Sequence, residues 1–269
     1  MITGAARGMG RLYAQRAVDE GARAVILWDK DAATLRNTAD QLAATADEAT
    51  AVHAFTVDIA EMGAIAQTAQ KVRKLAGNPD IVINNAGIVR GALFWEHDSG
   101  DDTRKTMQIN AMAPMYIARE FLPGMIANAY RESRIVNIAS AAGLVANPRM
   151  SVYAASKWAV IGWSDSLRIE LEQQDHGNVK VTTVVPTFVS TGMFEGARGP
   201  VLAPIMTPEY VVDRVWRAML AGRPMLMLPR SVSVARAIQG LLPTRAWDVV
   251  AARFGIYSAM DDFTGRADR

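Results

Sequence analysis

Short apolar runs alternate with longer amphipathic stretches along most of this chain, and this alternation restricts its fold more than any other feature. A short, continuous apolar run is typical of a parallel strand that is buried on both faces. The predicted strands are Ala24–Trp28, Val52–Val57, Asp80–Ile83, Arg134–Ala139, Val179–Val185 and Met225–Leu228. The stretches between them have the lengths and boundary residues of helices, and the predicted helices are Gly10–Glu20, Ala33–Thr45, Ile59–Ala76, Thr103–Ala129, Ser151–Gln174 and Pro208–Ala221. Strands and helices in alternation form βαβ units, so the sequence predicts an α/β fold with a single Rossmann-like, doubly wound parallel sheet in three layers, α/β/α.

A glycine-rich segment, Thr3–Gly10, precedes the first predicted helix. Glycine is needed where the backbone turns with positive φ or approaches a ligand closely, and the positive end of a helix favours a pyrophosphate. The residues expected to surround that phosphate are Gly4, Arg7, Gly8, Met9 and Gly10. Only Met1 and Ile2 precede the segment, so we expect a truncated first strand.

An acidic residue, Asp29, ends the next predicted strand. A carboxylate at this position accepts hydrogen bonds from the adenosine ribose of NAD and repels the 2′-phosphate of NADP. Arg7 and Lys30 favour the opposite preference, because either side chain has the length and charge to reach such a phosphate. The sequence therefore predicts NAD as the cofactor, with NADP as the alternative.

Two further predicted strands end in residues suited to the same ligand, because ligands of such sheets bind at the carboxyl ends of the strands. Asp58 and Ile59 follow the strand Val52–Val57, and the Asp58 carboxylate is placed to accept from the adenine amino group. The alternative for Asp58 is an N-cap of the next helix. The small segment Asn84–Gly87 ends the fourth strand, where Asn85, Ala86 and Gly87 are expected to border the cofactor.

A tyrosine and a lysine, Tyr153 and Lys157, lie four positions apart in a predicted helix and so share one face. The phenol of a free tyrosine is a poor base, since its pKa is about 10. A nearby ammonium and a positively charged nicotinamide both favour the phenolate, which predicts Tyr153 as the general acid/base. Ser140, after the fifth strand, is expected to hydrogen-bond the substrate oxygen. Asn110 is expected to hold, through its amide, a water linked to Lys157.

The chain resembles the short-chain dehydrogenase/reductase family over essentially its whole length, in Thr3–Gly10, Asn84–Gly87, Asn110, Ser140 and the Tyr153/Lys157 pair. The resemblance implies a catalytic tetrad of Asn110, Ser140, Tyr153 and Lys157. It also implies cofactor contacts from Tyr153 and Lys157. The implied nicotinamide contacts come from Pro186, Val189 and Thr191, although Thr187 replaces the glycine that usually follows the proline. Leu27–Asp29, Ser140–Gly143, the segment after Pro208 and Met225–Pro229 are similar to the branch that contains retinol and 17β-hydroxysteroid dehydrogenases, which implies a lipophilic alcohol substrate.

Composition narrows the remaining function classes. The chain has 269 residues, no cysteine and only three histidines, His53, His97 and His176, which lie far apart. This excludes disulfides and thiol chemistry, and we expect no metal site. The net charge of +2 is too small to indicate nucleic-acid binding. The sequence has neither an apolar run of about 20 residues nor a visible signal peptide, which predicts a cytoplasmic protein.

The remaining predictions concern domains and surfaces. We expect an NAD-binding catalytic domain over residues 1–229 and a helical extension over residues 230–269 packed on it. The extension mixes arginines with apolar residues, which suits either a half-buried face or peripheral contact with a membrane surface. A mobile apolar lid over the substrate, or ordinary loop packing, is expected at Met193, Phe194, Val201, Leu202, Ile205 and Met206. The family resemblance implies a homodimer or homotetramer through Thr103–Ala129 and Ser151–Gln174, with Met112, Met115, Trp158 and Trp163 at the interface.

Three functions remain open at this point. The leading one is an NAD-dependent oxidoreductase that moves a hydride between a lipophilic alcohol and its cofactor. The second is an NADPH-dependent carbonyl reductase, and the third is a non-catalytic dinucleotide sensor, which the intact Tyr153, Lys157, Ser140 and Asn110 disfavour.

Overall fold

The computed structural model describes residues 1–201 and 203–265. Seven parallel strands form one sheet in the order β3-β2-β1-β4-β5-β6-β7. The strands are β1 Ile2–Thr3, β2 Ala24–Asp29, β3 Ala51–Thr56, β4 Ile81–Asn84, β5 Ser133–Ile138, β6 Val179–Pro186 and β7 Met225–Leu228. The order reverses direction at β1, so the sheet is doubly wound and the predicted fold class is confirmed. The predicted short first strand is also observed, since β1 is two residues long.

Helices cover both faces of this sheet. They are α1 Gly8–Asp19, α2 Ala32–Thr45, α3 Met62–Ala76, α4 Lys105–Met107, α5 Ala113–Ala127, α6 Ser151–Gln173, α7 Pro208–Leu220, α8 Ser231–Leu241 and α9 Thr244–Arg253. One apolar core joins the sheet to α1, α2 and α7. A second core joins the opposite face to α3, α5 and α6. The resulting three layers leave the carboxyl ends of the strands as the open edge.

The predicted helix over Thr103–Ala129 is interrupted. Two π-helical segments, Ser99–Arg104 and Gln108–Met112, lie on either side of α4. Pro114 lacks the N–H that would bond to the Asn110 carbonyl in an α-helix, and in a regular α-helix its ring would clash with that carbonyl. The wider turn around Asn110 accommodates this proline, and α5 begins just before it.

The structure also corrects the start of α3. The prediction began this helix at Ile59, but it begins at Met62 with Glu61 as N-cap. Asp58 is therefore not the helix cap; its carboxylate accepts from the Ala60 N–H at 2.9 Å in a turn before the helix.

The chain beyond β7 forms α8 and α9, followed by a turn-rich segment to Gly265. Val232 of α8 and Trp247 of α9 are buried in a third apolar cluster together with residues of α6 and β6. Residues 266–269 of the predicted extension lie outside the described residues. Across the described part of the chain, no helix has the length and apolar character needed to cross a membrane.

Candidate active site

The glycine-rich turn between β1 and α1 brings the backbone back against its own strand. Gly4 and Gly8 have positive φ, +64° and +56°, which L side chains rarely adopt. A Cβ on Gly10 would lie 2.0 Å from the Gly4 carbonyl oxygen, so only glycine allows this approach. The N-cap residue Arg7 makes no side-chain capping bond, which leaves the first-turn N–H groups of α1 to a ligand. Such a cradle fits a pyrophosphate, while Met9 packs against the core.

A threonine that the sequence analysis did not single out fixes this turn. The Thr3 hydroxyl accepts from the backbone N–H of Asn85 at 3.0 Å and of Ala86 at 3.1 Å. In return, the Asn85 amide donates to the Thr3 carbonyl at 3.0 Å. A Cβ on Gly4 would lie 3.0 Å from the Ala86 Cα. Asn85 and Ala86 therefore abut the glycine turn, and their hydrogen bonds with Thr3 fix its shape. A hydroxyl directly before the glycine motif is the sequence signal that would have identified Thr3.

The carboxylate of Asp29 lies at the end of β2, as predicted. It accepts from the Ala6 N–H at 3.0 Å and from the Asp31 N–H at 3.1 Å, so it is tied to the glycine turn. Arg7 forms an ion pair with Asp31, and hydrogen bonds from Thr34 together with the charge of Arg7 hold the pKa of Asp31 below its usual value. Lys30 is exposed beside this pair. The sequence analysis missed Asp31, which neutralises one of the two cations proposed to favour NADP.

The other predicted adenine neighbours lie at the end of β3. Asp58 is exposed and Ile59 is buried, so the two side chains present an acceptor and an apolar surface. Both directly follow the strand next to β2, at the same edge as Asp29.

The predicted catalytic pair on α6 is almost entirely buried. Tyr153 is 5% exposed and Lys157 is 4% exposed. The Lys157 ammonium donates to the Ile138 carbonyl at the end of β5, at 2.8 Å, and lies 5.6 Å from the centroid of the Tyr153 ring. Ser140 caps the short turn Ala141–Gly143 through a bond from the Ala142 N–H, at 3.2 Å. These contacts bring Ser140, Tyr153 and Lys157 together at the carboxyl end of β5.

Burial dominates the acid–base properties of this pair. It raises the pKa of Tyr153 to about 12, opposed by a hydrogen bond with Ser140, and it lowers the pKa of Lys157 to about 8. This pKa is that of the protein without its cofactor, in which desolvation of the phenolate is the largest effect. The expectation that the ammonium and a positively charged nicotinamide together favour the phenolate stays a prediction. In this state Tyr153 holds its proton at neutral pH.

Asn110 lies close to the pair, and contacts within the protein hold its side-chain amide. Its amide oxygen accepts from the Ile88 N–H and its amide nitrogen donates to the Ile88 carbonyl, both at 2.8 Å. The amide nitrogen also lies 3.1 Å from the Ser156 hydroxyl. The side-chain amide thus fixes the segment after β4, and the water expected between Asn110 and Lys157 stays a prediction. A Cβ on Gly87 would lie 3.2 Å from the Asn110 Oδ1 and 3.6 Å from the Lys157 Nζ, so Gly87 sits between them.

The predicted nicotinamide segment follows β6. Pro186 ends that strand, and Val189 pairs with Met206 in an isolated bridge. A Cβ on Gly8 would lie 3.7 Å from the Thr191 Cβ, so this segment reaches across to the glycine turn. The predicted site residues that follow β1, β4, β5 and β6 thus lie along the carboxyl edge of the sheet.

An apolar cavity of about 290 Å³ opens beside Ser140. Phe194 lines it and packs edge-on against Tyr153, with ring centroids 5.9 Å apart. Of the predicted lid residues, Phe194 and Val201 line the cavity, whereas Met206 is buried in the sheet core and Leu202 lies outside the described residues. Met193 packs in the cluster around Phe194, and Ile205 is exposed.

Much of the cavity wall comes from the C-terminal helices, which the sequence analysis did not assign to the substrate site. The lining residues from α8 and α9 are Ser231, Val232, Val234, Ala235, Ile238, Trp247 and Val250. Several of them recur at the three- and four-residue spacing of one helix face, and that spacing is the signal that indicated an inward face.

Residues 1–200 match the sequence pattern of the family described as short chain dehydrogenase. The chain is 36% identical over 269 residues to epidermal retinol dehydrogenase 2 of Mus musculus, covering 99% of this chain and 85% of that protein. It is 33% identical over 257 residues to estradiol 17-beta-dehydrogenase 11 of Pongo abelii, covering 95% of this chain and 83% of the relative.

Solved structures have the same fold. A short-chain dehydrogenase/reductase from Burkholderia phymatum in complex with NAD superposes with a TM-score of 0.78 at 24% identity, covering 89% of this chain and 92% of that one. A short-chain dehydrogenase from Sphingobium yanoikuyae in complex with NADPH gives 0.75 at 25% identity, covering 89% and 93%. These two proteins bind different nicotinamide dinucleotides.

Proposed function

The chain belongs to the short-chain dehydrogenase/reductase family, close to its retinol and 17β-hydroxysteroid dehydrogenases, and we propose that this oxidoreductase transfers a hydride between NAD and a lipophilic alcohol. The observation that carries the proposal is the buried Tyr153–Lys157 pair beside Ser140, which lines an apolar cavity. The family membership supports chemistry on an alcohol or carbonyl, and the residues around the pair support the steps below.

The glycine turn and the strand ends around it fit a nicotinamide dinucleotide. The uncapped first turn of α1 would hold the pyrophosphate, Asp29 the adenosine ribose, and the segment Pro186–Thr191 the nicotinamide. When bound, the cofactor supplies the hydride acceptor or donor.

Tyr153 moves the proton. In carbonyl reduction its phenol donates a proton to the substrate oxygen, and in alcohol oxidation it removes the hydroxyl proton. Ser140 supplies a second hydroxyl that stabilises negative charge on the same oxygen. Lys157, fixed by the Ile138 carbonyl, places a positive charge near the phenol ring and opposes the cost of the buried phenolate. Asn110 positions the backbone at Ile88 and acts as a positioning residue.

Two carboxylates support NAD over NADP. Asp29 presents a negative charge where the ribose is held, and it is anchored by two backbone N–H groups. Asp31 binds Arg7, so the guanidinium that would attract a 2′-phosphate is already paired. A 2′-phosphate would therefore be repelled by Asp29 and would have to compete with Asp31 for the Arg7 guanidinium.

The cavity supports a lipophilic substrate. Its walls are mostly aliphatic and aromatic side chains, and the polar residues in the wall are Ser140, Asn147, Thr187 and Ser231. Burial of apolar substrate area in such a site is favourable by about 25 cal/mol per Å². The relatives named for retinol and estradiol support the same class of substrate.

The test is reduction of NAD, followed by nicotinamide absorbance, with retinoid, steroid, long-chain and short secondary alcohols, and with NADP in parallel. We expect turnover with NAD and at least one lipophilic alcohol, at a higher kcat/KM than with short alcohols. Activity confined to small polar substrates would contradict the lipophilic assignment, and a strong NADP preference would contradict the cofactor assignment.

A second candidate, NADPH-dependent carbonyl reduction, is favoured by one observation. Tyr153 holds its proton at neutral pH, which suits donation to a carbonyl. The same assay run with retinal or steroid ketones and each reduced cofactor distinguishes the two candidates.

We also propose a homodimer or homotetramer through the outer faces of α5 and α6. Met112, which directly precedes α5, and Trp158 of α6 are 39% and 51% exposed, whereas Met115 and Trp163 are half-buried. Light scattering coupled to size exclusion measures the mass; a monomer would contradict this part of the proposal.

A further inference from the structure

We propose that Asn147 and Trp247 select for a second hydroxyl group on the lipophilic substrate, so that the protein prefers lipophilic diols to alcohols with a single oxygen. The inference rests on the proposed function for the use of the cavity as the substrate site. Its own support comes from two polar side-chain atoms in the cavity wall that have no hydrogen-bond partner within the described chain.

The first of these atoms is the indole nitrogen of Trp247, on α9. Trp247 lines the cavity and is 4% exposed, and its Nε1–H has no hydrogen-bond partner among the described residues. The indole nitrogen can only donate, and a buried donor without a partner bears the full cost of its desolvation. Phenylalanine would fill much of the same space without that cost. An acceptor on a ligand in the cavity accounts for a tryptophan at this position.

The second atom is the amide oxygen of Asn147, in the loop between the short turn Ala141–Gly143 and α6. Asn147 lines the same cavity. Its side chain is partly exposed, but Oδ1 is buried and accepts no hydrogen bond from the part of the chain that the structure describes. Buried polar atoms in folded proteins nearly always have a partner. A donor on the ligand supplies one for this oxygen.

A hydroxyl group matches both residues. It accepts from the Trp247 N–H and donates to the Asn147 Oδ1, whereas a ketone matches only the donor and an ammonium matches only the acceptor. An ammonium would also bring a charge into a mostly apolar wall, which is costly. A hydroxyl on an otherwise apolar skeleton is therefore the group that fits this wall.

Two other hydroxyls of the wall have partners in the proposed reaction. The Ser140 hydroxyl accepts from the Ala142 N–H and is assigned to the reacting oxygen of the substrate. The Thr187 hydroxyl is buried and has no partner in the described chain, but it lies in the segment proposed to hold the nicotinamide, so a bound cofactor can supply its partner. Asn147 and Trp247 have no such role, and their hydrogen bonds remain for the substrate.

Access from the cavity separates Trp247 from another buried tryptophan. Trp28 also has an indole N–H without a partner among the described residues, but its ring packs against Phe121 in the sheet core, where a ligand has no access. In the cavity, by contrast, an unmade hydrogen bond produces selectivity. A site that bonds a substrate hydroxyl rejects the analogue that lacks it, because the analogue leaves the polar group of the site unpaired.

The experiment is calorimetric titration of the full chain, with and without NADH, with which an alcohol does not react. The ligands are a long-chain secondary alcohol and the diols made by adding one hydroxyl at successive carbons of the same chain. The variants are Trp247→Phe and Asn147→Leu. One control is Trp216→Phe, since Trp216 of α7 is also 4% exposed and does not line the cavity. The other is Ala146→Leu, which adds apolar bulk in the same loop as Asn147 but outside the cavity wall. Circular dichroism verifies folding.

We expect the wild type and both controls to bind at least one diol about tenfold more tightly than the single alcohol, as one buried hydrogen bond allows. Trp247→Phe and Asn147→Leu should each reduce this preference at least fivefold. Equal affinity of the wild type for the single alcohol and every diol, or a preference that both variants retain, would overturn the proposal. Loss of the preference in one variant alone would overturn the assignment of the other residue.

The same ligands are then assayed for NAD reduction, which separates this inference from the proposed function. Selective binding of a diol without turnover of any ligand would contradict the proposed catalysis and support the polar contacts. Turnover at equal kcat/KM for the single alcohol and all the diols would support the catalysis and contradict the selectivity.

Discussion

Substitution of Gly10 by alanine is a sharp test of the glycine turn. A Cβ on Gly10 would lie 2.0 Å from the Gly4 carbonyl oxygen and 2.8 Å from the Asn85 Nδ2. The first contact is with backbone, so a rotamer change cannot relieve it. Alanine in place of glycine within a helix gains about 0.5–1 kcal/mol, whereas overpacking costs about 1–3 kcal/mol or more. We expect Gly10→Ala to lower the free energy of unfolding by about 2 kcal/mol.

The matched control is Gly63→Ala, also within a helix. A Cβ there meets no atom within 4 Å, so this variant should gain up to about 1 kcal/mol. Urea unfolding followed by circular dichroism gives both free energies, and calorimetric titration gives NAD affinity, which should fall at least tenfold only in Gly10→Ala. Equal stability and equal NAD affinity in the two variants would refute the inferred role of the turn.

Three further predictions concern the cofactor preference, the buried lysine and the cavity. Asp31→Asn keeps an N-cap for Thr34 but removes the charge that holds Arg7, so we expect NADP affinity to rise about tenfold with little change for NAD; an unchanged ratio in calorimetric titration would count against the ion pair as a determinant. Burial lowers the pKa of Lys157 from 10.5 to about 8, so its cost to folding is fully present below pH 8 and disappears as pH rises to 10.5. The stabilising effect of Lys157→Met on the free energy of unfolding should therefore be roughly 3 kcal/mol greater near pH 7 than above pH 10, and urea unfolding that gives the same difference at both pH values would contradict a buried ammonium. Ala235→Phe places a ring in the cavity and should lower kcat/KM for long or polycyclic alcohols at least tenfold more than for short ones; a uniform effect would mean that the substrate lies elsewhere.

The sheet could be predicted from the sequence because each strand carries a local apolar run, and the observed strands lie within one or two residues of the predicted ones. Predicted helix boundaries were wrong where a local turn or a proline decides them. The turn around Asp58 delays α3 to Met62, and Pro114 forces the π-helical turn around Asn110. Neither effect is visible in hydrophobic periodicity.

In the candidate site, local motifs could be predicted from the sequence, whereas contacts between distant segments could not. Residues on recognisable motifs, such as Ser140, Tyr153 and Lys157, come together as predicted. What the sequence could not supply are partners distant along the chain: the Thr3 clamp on Asn85 and the Arg7–Asp31 pair. The sequence also could not predict that the pKa of Tyr153 is raised, because the direction of this shift depends on burial that only the folded structure reveals.

The cavity wall from α8 and α9 was missed for a related reason. The amphipathic pattern of that segment indicated one inward face, but not which part of the sheet this face covers. Val232 and Trp247 line the same cavity as Ser140, so a segment predicted as an extension contributes to the proposed substrate site.

The most direct test of the proposed chemistry compares wild type with Tyr153→Phe, which removes one hydroxyl from a buried ring. NAD reduction with the best lipophilic alcohol is followed by nicotinamide absorbance, and NAD affinity is measured by calorimetric titration. We expect Tyr153→Phe to lose at least a hundredfold in kcat, since general acid–base catalysis contributes about 10²–10⁴-fold. NAD affinity should stay within about twofold of wild type, because the helix N-terminus, and not Tyr153, holds the pyrophosphate. Turnover by Tyr153→Phe at the wild-type rate would contradict the assignment of Tyr153 as the proton donor and acceptor.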